Sequence, residues 1–415
     1  MNKWSFFAVL CCILLLCALP AMAQEEQALP VITITYAAGA PLSHEEAVDA
    51  QVTIARDGQE HAFPARLRLN AAAMDSEERE LPQRSLYIEG ADMRFVLYND
   101  GGDALRTKLL STACSGLVAQ CPVPVPVRTQ EPVEVYVNGD YRGLYSRRED
   151  IADAIARFEG LDSAAALNVA DVNKKAFCGD PAGIASALKQ LKGLNLSLEA
   201  DRQTLSTLLD TESFLNWAAV NAFFGNLNMK SDVIFYQVGN GPIKCAMGDF
   251  AYALMFAAHN PYASLNTITT DVVIIIESML LNQPEYREAF LTKLGALYQA
   301  LPTQTLQQAV DAANTQIASA LPRHMERWTA AFIQAMAGKN NYLVANTQEA
   351  LLYQQYFIYR LRDKTLVRHP WYLYDLTQSA LDVSDADMLR YFGSEKPALI
   401  EVPAESWNTY KAANQ

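Results

Sequence analysis

The segment Val133-Glu-Val-Tyr-Val-Asn-Gly-Asp-Tyr-Arg-Gly-Leu-Tyr145 carries the clearest information about the fold. Its first half places valine at every second position, which is the period of a strand that buries one face. Asn138-Gly139 separates the two halves, and both residues readily adopt the positive φ that a two-residue hairpin turn needs. The sequence therefore predicts a β-hairpin at this position.

Other strand-like segments precede the hairpin. β-branched residues alternate in Val31-Ile-Thr-Ile-Thr-Tyr36 and in Gln51-Val-Thr-Ile-Ala55, and Ala65-Arg-Leu-Arg-Leu69 alternates apolar with basic residues. These patterns are typical of half-buried strands. In residues 122–126 proline alternates with valine, which predicts an extended edge or linker because proline cannot donate to a central sheet.

Beyond residue 150 the apolar residues recur at helical spacing. This spacing predicts helices over residues 151–158, 205–217, 284–298 and 306–321. Asn282 is a candidate cap for the helix that contains Pro284. A strand-rich half followed by a helix-rich half predicts an α+β protein. We divide it into a strand-rich part (29–150), a helical part (151–335) and a C-terminal extension (336–415).

The first residues have the pattern of a secretory signal peptide, residues 1–23. Lys3 precedes an apolar run over residues 6–19, and Ala21-Met-Ala23 matches a small-x-small cleavage site. The apolar run is shorter than the ~20 residues that usually span a membrane, so cleavage is favoured over an uncleaved anchor. We therefore predict an exported protein, extracellular or in the cell envelope, with no integral membrane span after cleavage.

Three of the seven cysteines lie in this leader, and Cys114, Cys121, Cys178 and Cys245 remain. An even number of cysteines in an exported protein predicts disulfides, and four cysteines allow three pairings. Cys114 and Cys121 flank one short loop and are the preferred pair. The net charge of −13 argues against a nucleic-acid partner, because such proteins need a basic footprint.

Two loops carry the candidate chemistry: Gly225-Asn-Leu-Asn-Met-Lys-Ser-Asp232 and Met247-Gly-Asp249-Phe-Ala251. Phosphoryl transfer requires an acid that orients the acceptor and an Asp, just after a strand, that holds magnesium against the nucleotide phosphates. The spacing fits both requirements. However, Asn228 stands where the acceptor-side acid is expected, and Asp249 is the one acid in the second loop.

With the hairpin segment, these loops make the chain resemble the CotH-type spore-coat kinase family over about residues 29–330. The resemblance implies a two-lobed protein-kinase-like fold with a strand-rich N-lobe and a helical C-lobe. It also implies ATP with Mg²⁺ or Mn²⁺ as cofactor, bound weakly here because several site residues differ.

The family's phosphate-binding segments are altered. Its Arg-Gly-Asn-Ser motif corresponds to Arg68-Leu-Asn-Ala-Ala-Ala73, and its Pro-Lys-Lys motif corresponds to Pro82-Gln-Arg84. Arg68 and Arg84 are the remaining candidate contacts to a nucleotide, with Glu149 at the position of a family glutamate. Glu149 is equally well explained as an acid near a helix N-terminus, where the helix dipole favours negative charge.

The catalytic positions are altered in the same way. The family's Asn-x-Asp corresponds to Asn226-Leu-Asn228, and its Trp-Asp-x-Asp corresponds to Gly248-Asp249-Phe-Ala251. Asp249 is the candidate metal ligand. Asn228 and Asp232 are the degenerate catalytic positions, and compensation of Asn228 by Asp232 is the less favoured interpretation.

We therefore predict a pseudokinase that acts as a binding or scaffold module for a protein partner, such as a cell-surface or coat protein. Two alternatives stay open: an active atypical kinase that uses Arg84, Asp232 and Asp249, and a structural surface or coat component. Trp371, Tyr372 and Tyr374 lie close together in the extension. Packing onto the helical part is the favoured explanation for them, ahead of an exposed partner anchor.

Overall fold

The computed structural model describes residues 28–70, 80–255, 258–263, 265, 269–339 and 342–415. The predicted signal peptide and Ala71-Ala-Ala73 of the altered phosphate-binding segment lie outside these ranges.

The N-terminal part is a closed seven-stranded barrel with strand order β1-β2-β3-β4-β5-β7-β6. Strand β1 pairs antiparallel with β2 and parallel with β6, and this second pairing closes the sheet. The prediction of a strand-rich N-terminal part is confirmed, but a closed barrel is not the typical form of a kinase N-lobe. Closure leaves no free edge, since every strand is paired on both sides. The strands are β1 (Val31–Tyr36), β2 (Val48–Arg56), β3 (Gln59–Leu69), β4 (Leu86–Gly90), β5 (Arg94–Tyr98), β6 (Gln130–Val137) and β7 (Asp140–Glu149).

The predicted hairpin joins β6 to β7. Asn138 and Gly139 form its turn with φ of 51° and 85°, as the sequence indicates. The Asn138 side chain also accepts a hydrogen bond from the Tyr36 N–H at 2.9 Å, which ties the turn to β1. Alternate residues of each strand point into the barrel, where apolar side chains fill the interior. The most buried are Ile32, Ile34, Val52, Leu67, Ile88, Leu97, Val133 and Val135.

A second, four-stranded antiparallel sheet follows, with strand order β11-β10-β8-β9. Its strands are β8 (Leu167–Asp171), β9 (Ala176–Cys178), β10 (Val233–Val238) and β11 (Lys244–Met247). Strand β10 is buried along five of its six residues, which is the pattern of a strand covered on both faces.

Helices surround this sheet and the base of the barrel. The N-terminal ones are α1 (Leu110–Val118), α2 (Ile151–Glu159), α3 (Ala182–Leu191), α4 (Glu199–Leu208), α5 (Thr211–Phe224) and α6 (Met229–Asp232). They are followed by α7 (Val272–Leu281), α8 (Pro284–Ala300), α9 (Thr303–Ile317), α10 (Leu321–Ala335) and α11 (Thr347–Tyr359). A π-helical segment (Arg360–Thr365) leads into α12 (Leu366–Leu381), α13 (Asp385–Phe392) and α14 (Trp407–Asn414).

The helix predictions are confirmed in position, with three corrections. The pattern over residues 306–321 covers α9 and the first residue of α10, because residues 318–320 form a turn between the two helices. The pattern over residues 205–217 belongs to two helices, because the Asp210 side chain caps a new helix by accepting from the Ser213 N–H at 2.9 Å. Asn282 ends α7 and does not cap α8, whose N-cap residue is Gln283.

The expected Cys114–Cys121 disulfide is not formed, and all four cysteines of the described chain are free. Cys114 is buried on α1, where it faces the hydrophobic core. Cys121 lies beyond the end of that helix, and its thiol donates to the Val123 carbonyl at 3.2 Å. The helix therefore separates two residues that the sequence places on one loop.

The C-terminal extension packs into the same hydrophobic core as α1, α5 and α10. Tyr374 is buried and meets Phe392 edge to face at 5.3 Å between ring centroids. Trp371 and Tyr372 are half-buried, and Lys396 lies over the Trp371 ring. Within the described residues, no helix has the length and apolar character to cross a membrane.

We expect Gly143→Ala to destabilise the protein far more than Gly139→Ala. Both residues have positive φ, so each substitution carries a conformational cost of about 1 kcal/mol. A Cβ at residue 143 would also lie 2.6 Å from His324 Nδ1 and 2.8 Å from Trp328 Nε1 on α10, whereas residue 139 has open space around it. Overpacking adds about 1–3 kcal/mol. Urea denaturation of both variants measures the difference, and equal losses would contradict this packing of β7 on α10.

Candidate functional site

Asp249 lies two residues beyond the end of β11, at the place where the barrel meets the helical part. An Asp just after a strand is therefore confirmed. The carboxylate is buried, with 9% of the side chain exposed. Strands β5 and β7 of the barrel and helix α1 contribute the side chains around it.

Both carboxylate oxygens of Asp249 already accept hydrogen bonds from the protein. The Tyr98 hydroxyl donates to Oδ2 at 2.5 Å, and the Ser111 hydroxyl donates to Oδ1 at 2.7 Å. The backbone N–H groups of Phe250 and Ala251 also donate to Oδ1, at 2.6 and 3.1 Å.

Arg148, near the end of β7, forms a buried ion pair with the same carboxylate. Its Nη2 lies 3.1 Å from Oδ1 and its Nη1 lies 3.4 Å from Oδ2, so the guanidinium faces both oxygens. The guanidinium stacks over Tyr98 at 3.7 Å from the ring centroid, and its Nε donates to Gln130 Oε1 at 3.3 Å. Both partners are almost fully buried, with 5% of the Arg148 side chain exposed. Packing therefore fixes Arg148 on Asp249.

A second guanidinium lies close to this pair. Arg128 is half-buried and donates to the Gly248 carbonyl oxygen. Burial, together with the positive charge of Arg148, lowers the pKa of Arg128 to about 10. It is still charged at neutral pH, so the carboxylate lies in a positive environment.

This environment determines the ionisation of Asp249. Burial alone would raise its pKa, because a carboxylate loses hydration in the interior. The charge of Arg148 and the hydrogen bonds from Tyr98 and Ser111 outweigh burial, and the pKa of Asp249 is lowered. The site therefore holds a carboxylate anion whose counterion is supplied by the protein.

A divalent metal ion does not fit this arrangement. Two carboxylate oxygens offer about four lone pairs, and six donor atoms already approach them. The second acid of the family motif is Ala251, which has no ligand atom. Among the described residues, no group of three or more His, Cys, Asp or Glu side chains is placed to hold a metal.

The other candidate loop is joined to Asp249 through its backbone. Helix α5 ends at Gly225 with φ of 52°, and the buried Asn226 side chain follows. Asn226 Nδ2 donates to the Asp249 carbonyl at 3.0 Å, and its Oδ1 accepts from the Asn228 N–H at 3.2 Å. Asn226 thus connects the two loops that the sequence singles out.

Asn228 and Asp232 begin and end the short helix α6. The Asn228 carbonyl accepts from the Asp232 N–H at 2.9 Å. Asp232 is buried, and its backbone lies so close to Gly248 that a Cβ there would be 1.9 Å from the Asp232 carbonyl oxygen. Gly248 is therefore required for the two loops to pack together.

The three predicted nucleotide contacts lie on the barrel. Arg68 stacks over Tyr87 on the neighbouring strand at 4.2 Å, and its Nη1 reaches the Leu69 carbonyl at 3.5 Å. Arg84 is exposed, just before β4, and its carbonyl accepts from the Tyr145 hydroxyl. Both contacts of Arg68 are with strands β3 and β4, so they do not join it to the Asp249 cluster.

Glu149 is bound by side chains and backbone of neighbouring segments. Its carboxylate pairs with Arg157 on α2 at 3.0 Å and accepts two hydrogen bonds from Thr129, both at 3.0 Å. Burial raises the pKa of Glu149, but the bonds from Arg157 and Thr129 prevail and lower it. The cap of α2 is Asp150, which accepts from the Ala152 N–H at 2.9 Å. Glu149 therefore lies next to the helix N-terminus, as one of its two explanations expects, and its carboxylate is engaged in an ion pair.

Sequence reasoning did not identify Arg148, Tyr98 and Ser111 as part of the site. Strand alternation offered one signal, because Arg148 shares a face of β7 with Leu144, which is buried in the helical core. A charged residue on a buried face needs a partner of opposite charge. The sequence gives no indication that this partner is Asp249, since 101 residues separate them.

Comparison with protein-family models gives a match to the CotH kinase protein family over residues 75–362. The chain belongs to the CotH kinase family. Along the chain, the matched segment begins between β3 and β4 and ends in the π-helical segment. It includes Arg84, Glu149, Asn228, Asp232 and Asp249, and Arg68 precedes it. No curated protein shows significant similarity to the chain.

We expect Arg148→Gln to cost about 3–5 kcal/mol of unfolding free energy, because it leaves the buried Asp249 carboxylate without a counterion. Arg147→Gln is the matched control. Arg147 is the adjacent residue, and its pair with Glu131 is more exposed, so a loss below about 1 kcal/mol is expected. Denaturant titration measures both. Equal, small losses would contradict a buried pair that stabilises the junction.

The pH dependence tests the same pair independently. A carboxylate whose folded pKa is lowered stabilises the protein above its unfolded pKa, about 3.9, and this contribution is lost as the pH falls through the folded pKa. We therefore expect the stability difference between the unmodified chain and Asp249→Asn to be largest near pH 7 and to shrink below about pH 4. A difference that grows towards low pH would contradict the assignment.

Proposed function

We propose that this chain is a non-catalytic member of the CotH kinase family that acts as a binding or scaffold module. The observation that carries the proposal is the buried Arg148–Asp249 pair. In phosphotransferases of this kind, the Asp after the strand must be available to a magnesium ion that bridges the nucleotide phosphates. Here the guanidinium and four further donors occupy that carboxylate.

The candidate catalytic loop supports the same conclusion. Asn228 has no anionic group to accept a proton from an acceptor hydroxyl, and Ala251 cannot contribute a second carboxylate. Asp232, the residue that could replace Asn228, is buried in the contact between α6 and Gly248. Phosphoryl transfer depends on charges placed around the phosphates, so these differences act together on the same step.

In this proposal the barrel and the helical part correspond to the two lobes of a kinase-like fold, with Asp249 at their junction. The junction is held by protein side chains, so no metal or nucleotide is needed to complete it. Residual nucleotide binding would then depend on Arg84 and Arg68 without a metal ion. The signal-like N-terminus supports placing the protein outside the cell or in its envelope.

We expect no phosphate transfer from ATP by the unmodified chain above the level of an Asp249→Asn control, with either Mg²⁺ or Mn²⁺. Loss of the acid and the metal contacts lowers the rate of transfer by several powers of ten, because each tenfold decrease corresponds to about 1.4 kcal/mol of activation free energy. Radiolabelled transfer to a protein acceptor or to the chain itself measures this. Robust transfer that Asp249→Asn abolishes would establish the alternative, an active atypical kinase.

A second experiment asks whether Arg148 is what blocks the metal. We expect the Asn228→Asp/Ala251→Asp variant to bind no Mn²⁺ by calorimetry, because Arg148 still occupies Asp249. Adding Arg148→Thr should produce Mn²⁺ binding, provided that circular dichroism shows a folded protein. Mn²⁺ binding by the variant that retains Arg148 would contradict the proposal.

A further inference from the structure

A cleft of about 740 Å³ lies beside the candidate catalytic loop and is lined by an unusual number of lysines. Lys174 comes from the turn between β8 and β9, Lys189 from α3, Lys192 from the residue after α3, and Lys230 from α6. We call this surface the lysine cleft. Four positive charges meet in one concavity of a chain whose net charge is −13.

Three of these lysines have no carboxylate partner among the described residues: Lys174, Lys189 and Lys192 are exposed and form no ion pair there. The Lys192 ammonium donates to the Thr270 carbonyl at 2.8 Å, which positions it without neutralising it. Most lysines elsewhere in the described part of the chain have an acidic partner. Six of them pair with a carboxylate: Lys108, Lys244, Lys293, Lys339, Lys396 and Lys411.

One acidic residue lines the cleft, and its carboxylate is engaged. Asp271 caps α7 by accepting from the Val273 N–H at 2.9 Å and from the Ile274 N–H at 3.4 Å. The helix N-terminus offsets part of its negative charge. The nearby Glu277 is buried, and burial raises its pKa to about 8, so it is mostly protonated at neutral pH. The cleft therefore keeps a positive potential.

The shape and the lining distinguish among anionic ligands. Apolar side chains form part of the wall, namely Val172, Leu188, Leu227 and Val272. None of the described residues that line the cleft is aromatic. Recognition of a nucleotide base usually uses an aromatic ring as a stacking platform, and this lining supplies none. Lysines spaced around an apolar wall suit an extended polypeptide whose acidic side chains alternate with apolar contacts.

We propose that the lysine cleft docks an acidic segment of a protein partner. This inference rests on the proposed binding role and deepens it, because it assigns the partner's chemistry and the surface that receives it. Leu227, Lys230 and Ser231 belong to both the cleft and the candidate catalytic loop. The partner would thus lie where an acceptor chain approaches a working kinase, and would be held there without being modified.

The test uses the full chain and a fluorescein-labelled decaglutamate peptide, with fluorescence anisotropy as the readout. We expect saturable binding at about 50 mM salt that weakens at about 300 mM, since exposed charges are screened. Lys189→Glu/Lys192→Glu should weaken binding at least tenfold. Lys339→Glu/Lys364→Glu changes the net charge by the same amount away from the cleft, and should alter binding less than twofold.

If both charge-reversed variants lose the same affinity for decaglutamate, the attraction is non-specific and the inference is overturned. The inference is also overturned if the unmodified chain does not bind the peptide. A labelled decaglutamine peptide should not bind. If ATP binds as tightly as decaglutamate and Lys189→Glu/Lys192→Glu removes both, the cleft is a small-anion site and the polypeptide assignment is wrong. If decaglutamate does not bind, the docking inference fails but the proposed non-catalytic function is unaffected. If the chain transfers phosphate from ATP, the non-catalytic function is wrong regardless of the peptide result.

Discussion

The buried ion pair between Arg148 and Asp249 is the interaction on which the junction of the barrel and the helical part depends. Arg148 belongs to the last barrel strand, and Asp249 follows the edge strand of the second sheet. Such a pair gains little net free energy, because removing two charges from water offsets most of their attraction. Its value lies in specificity, since any arrangement that separates the two groups leaves a buried charge without a partner. The carboxylate thus fixes the orientation of the two halves.

The same geometry means that the Asp249 carboxylate can either bind a metal ion for catalysis or pair with Arg148 to stabilise the fold, but not both. A metal ion at Asp249 would have to displace the guanidinium, which contacts both carboxylate oxygens. Asp249 offsets the repulsion between Arg148 and Arg128, and a metal ion that took over this carboxylate would remove that compensation. The repulsion and the lost hydrogen bonds would oppose metal binding. Restoring acids at Asn228 and Ala251 does not remove this competition, because neither substitution moves Arg148.

Much of the fold follows from the sequence, because the patterns that produce it are local. Alternating apolar residues place β1, β2, β3 and the hairpin, and Asn138-Gly139 places its turn. Closure of the barrel could not be predicted, since the parallel pairing of β1 with β6 joins segments about a hundred residues apart. Asp210, which caps a new helix within the pattern over residues 205–217, is a common N-cap residue. The apolar spacing continues across it, however, so the sequence pattern alone does not indicate that two helices meet there.

The position of Asp249 after a strand was predictable, but the partners of its carboxylate were not. The sequence placed Asp249 after a strand and identified Asn228 and Ala251 as altered positions. It could not show that Glu149 pairs with Arg157, or that Arg148, its neighbour on the opposite face of the strand, pairs with Asp249. Which partner a buried charge meets depends on the packing of distant elements, and no local pattern encodes that packing.

A second buried ion pair lies beside strand β7, on the segment that leads from β5 to α1. Lys108 and Asp100 lie 2.7 Å apart with almost no exposure, and the Ser146 hydroxyl of β7 donates to the same Asp100. Ser146 and Arg148 share one face of β7, so both pairs hold the same strand. Opening the junction would separate Arg148 from Asp249 and would expose the neighbouring Lys108–Asp100 pair to solvent. A kinase gains from a junction that closes around its nucleotide, whereas a docking module gains from one that stays fixed, because a pre-organised surface loses less entropy when a partner binds.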